Sequence, residues 1–274
     1  MTSENWAVGT PSIAVVGSIN LDLVARCARL PRAGETISGS AFGRWPGGKG
    51  ANQAVAAALL GAHVRLIGAV GDDPLAEEAL AGLRAAGVEL ELERVGTTGI
   101  ALIVVAADGE NQIVVVPGAN AAVTPASPRG AVLCQLEVPD AVVVAAAREA
   151  DYFALNAAPA RSVDVVPDLL IVNQLEYEVV SRGKLVAVTY GADGAALYED
   201  GVEVARATPP RVEAVDGTAA GDAFAACLVV SLLEGRPRDE ALRRACAAGA
   251  LAASRLGAQP SLPAARELEG ILAA

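Results

Sequence analysis

Residues 131–191 contain AVLCQLE (131–137), PDAVVVAAAREA (139–150), YFALN (152–156), DLLIVN (168–173) and KLVAVTYG (184–191) in succession. Short apolar runs without polar alternation read as strands buried on both faces. Their alternation with helical patterns is the rhythm of an α/β fold with a doubly wound, mostly parallel sheet. Four of the runs reach a polar residue at or near their end: Glu137, Asn156, Asn173 and Thr189. Taken singly, each reads as a cap or loop residue. Together they would line the carboxyl edge of the sheet, where open α/β folds bind ligands.

Upstream, SIAVVG (12–17) is a further buried strand, followed at once by Asn20 and Asp22, which read equally well as turn residues or as ligand contacts. Val24–Arg29 and Thr36–Arg44 read as antiparallel strands around the turn LPRAGE, and Gly99–Ala106 with Gln112–Val116 as a hairpin through DGEN. These segments, about 24–44 and 99–116, make a small β lid. Val64–Val70, Pro74–Ala86 and Val88–Val95 form a βαβ passage, and helices are expected over Arg238–Ala253 and Ala264–Leu272. Residues 1–11 read as a tail before one domain over 12–274. The tail shows neither a basic n-region nor an apolar h-region, so a cytoplasmic protein is expected.

Composition removes several chemistries. Apolar residues make up 53% of the 274, yet charges interrupt every apolar run before it could span a membrane. A net charge of −11 argues against a nucleic-acid surface. Cys27, Cys134, Cys227 and Cys246 form no C-x-x-C pair, so neither zinc nor a disulfide framework is indicated. His63 is the single histidine, which excludes multi-histidine metal sites and leaves little room for a histidine base. Carboxylates, backbone amides, asparagines and a few cations remain.

Three motifs use those groups. In VDGTAAGDAF (215–224), Asp216 and Asp222 bracket small residues before an apolar helical pattern. A helix starting near Ala220 would direct free N–H groups toward an anion, and Asp222 could take a proton from an attacking hydroxyl. A capped glycine loop accounts for the decapeptide equally well. WPGGKGANQ (45–53) superficially satisfies the P-loop spacing from Gly43 to Lys49, but Gly50 stands where a P-loop needs Ser or Thr, and no buried strand precedes it. It reads as a glycine loop closing on a small polar ligand, with Lys49 and Asn52 as donors. Asn173 and Glu176 in NQLE could reach a hydrated magnesium ion or form a capping box.

In order along the chain, GSINLD, PGGKGANQA, TGIALI, PGAN, QLE, NQLE, TYGADG, VDGTAAGDAF and RLGAQPS resemble the ribokinase-like (PfkB) family of carbohydrate kinases. The resemblance implies ATP-dependent phosphorylation of the primary hydroxyl of a free sugar, D-ribose first. Deoxyribose, fructose, a ketodeoxy sugar acid, a nucleoside, or a non-catalytic sugar-binding role are the alternatives. By the same resemblance Asn20, Asp22, Gly48, Lys49, Asn52 and Glu137 bind the sugar, and Asp222 is the base. Ala219, Ala220 and Gly221 form the anion hole. Asn173 and Glu176 serve phosphate and magnesium, and Thr189, Gly191 and Gly194 the nucleotide. Asp216, Thr218, Ala252, Arg255, Gly257 and Ser261 would hold potassium. A homodimer through the lid is implied as well. Full crossover helices are expected before AVLCQLE, before YFALN and between NQLE and KLVAV, where this chain is short.

Overall fold

A computed structural model describes residues 9–273, so most of the expected tail lies outside the described residues. The strands are β1 (Ser12–Val16), β2 (Asn20–Cys27), β3 (Gly39–Gly47), β4 (His63–Val70), β5 (Glu89–Arg94), β6 (Gly99–Val105) and β7 (Asn111–Val116). They continue with β8 (Ala131–Gln135), β9 (Tyr152–Asn156), β10 (Leu169–Asn173), β11 (Leu185–Thr189), β12 (Ala195–Glu199) and β13 (Val202–Ala207). The helices are α1 (Lys49–Leu59), α2 (Leu75–Ala79), α3 (Ala81–Ala85), α4 (Asp140–Glu149), α5 (Gln174–Tyr177), α6 (Ala220–Leu233), α7 (Arg238–Ala253) and α8 (Ala265–Ala273).

The main sheet runs β13-β12-β11-β10-β9-β8-β1-β4-β5, parallel from β5 to β11. One apolar core, with α1, α6 and α7, covers one face. A second, with α4, covers the other, which gives the expected layered α/β fold. The chain leaves β1 for β4 on one side, while β8 pairs with β1 on the other. That divergence opens a crevice at the carboxyl ends of β1 and β8. Helix α6, AGDAFAACLVVSLL, is apolar around most of its circumference because it is buried between α1 and α7.

A smaller sheet, β3-β2-β6-β7, stands beside this edge. Its strands β2 and β3 begin and end about three residues from the expected spans, so Asn20 and Asp22 lie within β2 rather than in a turn. Likewise α1 starts at Lys49, which places Lys49, Asn52 and Gln53 on a helix instead of in a loop. The expected helix over 74–86 is divided at Leu80 into α2 and α3. The β12–β13 hairpin was not anticipated, although its turn is Asp200-Gly201, with φ of 50° and 76°, a common two-residue hairpin signal.

Of the three expected crossover helices, α4 stands in full before β9, α5 is a single turn before β11, and none precedes β8; the connection from β9 to β10 has no helix either. Irregular segments cover the sheet where helices are short or missing: Val163 and Val165 between β9 and β10, and Val180 after α5, pack on the core that α4 covers only in part. Among the described residues no helix is long and apolar enough to cross a membrane.

The start of α1 rests directly on the chain leaving β1. A Cβ at Gly50 would lie 2.6 Å from backbone atoms of Gly17 and Ser18. Position 50 therefore has no room for the Ser or Thr of a P-loop. Gly50→Ser is expected to cost about 1–3 kcal/mol through overpacking, read as a lowered midpoint in urea or thermal unfolding; an unchanged midpoint would show that the contact yields freely.

Candidate active site

The crevice at the switch point continues into a cleft of about 1090 Å³ between the two sheets. Asn20, Asp22, Gly48, Lys49, Asn52, Glu137, Asn173, Glu176, Thr189, Asp216, Thr218, Ala219, Gly221 and Asp222 all line it. Residues from six distant segments thus meet on one surface.

Asp222 is buried in the first turn of α6. Asn52 Nδ2 donates to Asp222 Oδ2 and Gln53 Nε2 to Oδ1, each at 2.9 Å. Burial pushes the Asp222 pKa up, while Lys49 and the two amides pull it back. At the N-cap, Ala219 adopts a left-handed conformation with φ of 60°, costing on the order of 1 kcal/mol for a residue with a side chain. Nothing lies within 4 Å of the position a Cβ would take at Gly217 or Gly221. The helix N-terminus therefore faces open space, suited to an anion.

Asp22 stands opposite, its carboxylate lying over Gly47, where a Cβ would be 2.3 Å away. Burial, then the charges of Glu137 and Asp222, raise the Asp22 pKa to about 7, against the opposing pull of Lys49. Burial disfavours the Lys49 ammonium, but Asp222, Glu137, Glu176 and Asp22 together hold its pKa above the ordinary lysine value. Glu137 Oε2 accepts from Ser18 Oγ at 2.5 Å and from the Lys49 N–H at 3.2 Å.

Sequence reasoning missed several supporting side chains. Asn120 donates from Nδ2 to Asn20 Oδ1 at 2.8 Å, which turns the Asn20 amide nitrogen toward the cleft. PGAN was recognisable as a motif, but its role emerges only from the fold. Arg161 binds the backbone carbonyls of Leu136 and Val138, the residues flanking Glu137, and Asp140 as well. No local signal marked Arg161 or Gln53.

On the other side of the cleft, Asn173 and Glu176 form a capping box: Glu176 N–H donates to Asn173 Oδ1 at 2.9 Å and Asn173 N–H to Glu176 Oε2 at 2.8 Å. The capping bond uses Glu176 Oε2, and Glu176 lines the cleft. Thr189 reaches the cleft. Gly191 and Gly194 shape the turn after β11 without lining it. Asp216 accepts from the Thr218 N–H and hydroxyl and from the Gly257 N–H at 3.0 Å. Ala252, Arg255 and Ser261 lie outside the cleft wall; Ser261 is buried and donates to the Ala258 carbonyl at 2.7 Å.

A buried carboxylate at a helix N-terminus, an open anion cradle and a single lysine are the equipment of a phosphotransferase acting on a hydroxyl. A model of the pfkB family of carbohydrate kinases matches residues 10–170 and 168–265, and the chain belongs to that family. Ribokinase of Bacillus subtilis is 38% identical over 296 residues, covering 95% of this chain and 99% of that protein. The structure of Thermotoga maritima ribokinase matches with a TM-score of 0.86 at 30% identity, over 96% of this chain and all of that one (100%). Arabidopsis thaliana ribokinase complexed with ribose and ATP matches with a TM-score of 0.81 at 30% identity, over 96% and 99%.

The raised Asp22 pKa makes a stability prediction. Between the ordinary value of 3.8 and about 7 the native chain keeps a proton that the unfolded chain releases, so this group's contribution falls as pH rises through that window. Asp22→Asn removes the penalty. At pH 8 its melting temperature is expected to exceed that of the parent by an amount corresponding to on the order of 3 kcal/mol, shrinking toward zero near pH 4. An equal difference at both pH values would contradict the assignment.

Proposed function

We propose that this chain is a cytoplasmic kinase that transfers the γ-phosphoryl of ATP to the primary hydroxyl of a free sugar, D-ribose before deoxyribose, fructose or a ketodeoxy sugar acid. The observation that carries this reading is the convergence of Asp222 with Asn20, Asp22, Lys49, Asn52 and Glu137 on one buried surface. Similarity to ribokinases over nearly the whole chain supports ribose. Only 3% of residues are aromatic, which leaves few side chains to stack a nucleobase and places nucleosides lower.

Asp22, Asn20, Glu137, Lys49 and Asn52 hold the sugar hydroxyls, with Gly48 allowing close approach. Asp222 accepts the proton as the hydroxyl oxygen bonds to the γ-phosphorus, and the bond to the bridging oxygen breaks to release ADP. N–H groups around Ala219, Ala220 and Gly221, with Lys49, offset the charge on the transferring group. ATP lies along Asn173, Thr189 and the Gly191–Gly194 turn.

The Glu176 carboxylate, with Asn173, suits a magnesium ion held largely through water, and such an ion would neutralise phosphate charge. Asp216, Thr218, the carbonyls of Ala252, Arg255 and Gly257, and the Ser261 hydroxyl make an all-oxygen set of the kind a potassium ion uses. Asp216 and Gly257 already touch.

A homodimer through the smaller sheet is part of the proposal. Phe42, Val114 and Val116 lie open on it, Val114 at 60% exposure, and β7 ends the sheet with one edge unpaired among the described residues. Val114→Asp should turn a dimer into a monomer in sedimentation equilibrium; a parent that sediments as a monomer removes the dimer.

The pared crossover around α5 favours one second reading, a sugar-binding protein without turnover. A coupled assay with ribose, ATP, magnesium and potassium separates the two. Asp222→Asn is expected to lower kcat by about 10³-fold with little change in sugar affinity, and Asp22→Ala to raise the sugar KM by about tenfold or more. Sugar binding without turnover in the parent chain would establish the second reading.

A further inference from the structure

We propose that Gln53 is a positioning residue that, through a one-way chain of amides, keeps a hydrogen-bond donor aimed at Asp222. The inference rests on Asp222 being the base.

The direction of the chain is set at one end by a backbone carbonyl. Ile171 C=O can only accept, so Asn156 must present Nδ2 to it, as observed at 3.2 Å. Asn156 Oδ1 is then the atom facing Gln53, and it accepts from Gln53 Nε2 at 2.9 Å. With its nitrogen fixed there, Gln53 directs the second N–H of the same group to Asp222 Oδ1 at 2.9 Å. Its Oε1 in turn accepts from Gln135 Nε2. Reversal of Gln53 would set its oxygen against both Asn156 Oδ1 and the carboxylate.

The site is built for this chain. Gln53 and Gln135 are fully buried, and Asn156 nearly so. Gln135 fits because residue 17 is glycine: a Cβ there would lie 2.0 Å from Gln135 Oε1. Gln53 itself does not line the cleft, so it contacts the carboxylate and not the sugar. Asn52 occupies Asp222 Oδ2 from the same helix. With Oδ1 engaged by a donor that the chain holds in one orientation and Oδ2 by Asn52, both bonds act in favour of the ionised form against the burial that raises the Asp222 pKa. The base thus stays ready to receive a proton.

Other charged groups act on Asp222: Lys49 on α1, Glu137 after β8, and Asp22 on β2. Gln53 hydrogen-bonds none of these three.

The experiment is the pH dependence of kcat/KM for ribose in the parent, Gln53→Met and Asn156→Ala, with Asp222→Asn alongside. In Gln53→Met the acid limb should move up by about one pH unit. Turnover at pH 6 then falls about tenfold, while the alkaline plateau and the sugar KM stay within about threefold of the parent. Asn156→Ala, which frees Gln53 to turn, should move the limb in the same direction by less. A folded variant with an unmoved limb, or a loss equal at all pH values, overturns the proposal. If Gln53→Met does not fold, the limb in Asn156→Ala decides in the same way. An active Asp222→Asn would instead remove the base assignment, an outcome distinct from an unmoved limb with an inactive Asp222→Asn.

Discussion

Close contact of backbone with backbone, where α1 meets the chain leaving β1, is the constraint on which the rest depends. Gly50 touches Gly17 and Ser18, and Gly48, with φ of 89°, leaves space for only 2.8 Å between a would-be Cβ and the Asn20 N–H. Because no side chain intervenes, one helix can deliver Lys49 to the cleft mouth, Asn52 to Asp222 and Gln53 to the core behind it. The same closeness lets Glu137 accept from both Ser18 and Lys49. Any larger residue would separate groups whose chemistry depends on being within hydrogen-bond reach.

Around that contact four carboxylates, Asp22, Glu137, Glu176 and Asp222, act on one lysine. Such crowding is unfavourable in the empty protein, as the Asp22 pKa of about 7 records. On the proposed reading a ligand completes the arrangement: sugar hydroxyls would satisfy Asp22 and Glu137, and phosphate Lys49 and the α6 N-terminus. Stability is given up in one place for binding in the other.

The doubly wound sheet was legible because apolar runs and helical patterns alternate plainly after residue 131, and α6 begins at Ala220, where the small residues gave way to an apolar run. Asn20, Asp22, Lys49, Asn52 and Asp222 were legible as chemistry-bearing residues, and the fold brings all five to one cleft. Their local structure was less so. Asn20 and Asp22 resembled turn residues because the chain goes from β1 into β2 almost without a loop, and Lys49 resembled a loop residue because two glycines precede it. Gln53, Asn120 and Arg161 could not be read at all. Their partners lie 169, 100 and 25 residues away, and no spacing rule spans such distances. The crossovers misled for a different reason: a parallel connection needs only enough chain to cover the sheet, and irregular valine-bearing segments do so here.

Only Gly17, Ser18 and Ile19 connect β1 to β2, yet this link is no free joint. Ser18 is tied to Glu137 and Gly50, and Ile19 to Asn120 through both its N–H and its carbonyl. The root of the smaller sheet is therefore anchored to the same frame as Asp222. On the proposed assignment of Asn20 and Asp22 to the sugar, selectivity would be set in this anchored root rather than in the outer strands. Substitutions in the outer strands would then leave recognition at the root unaltered.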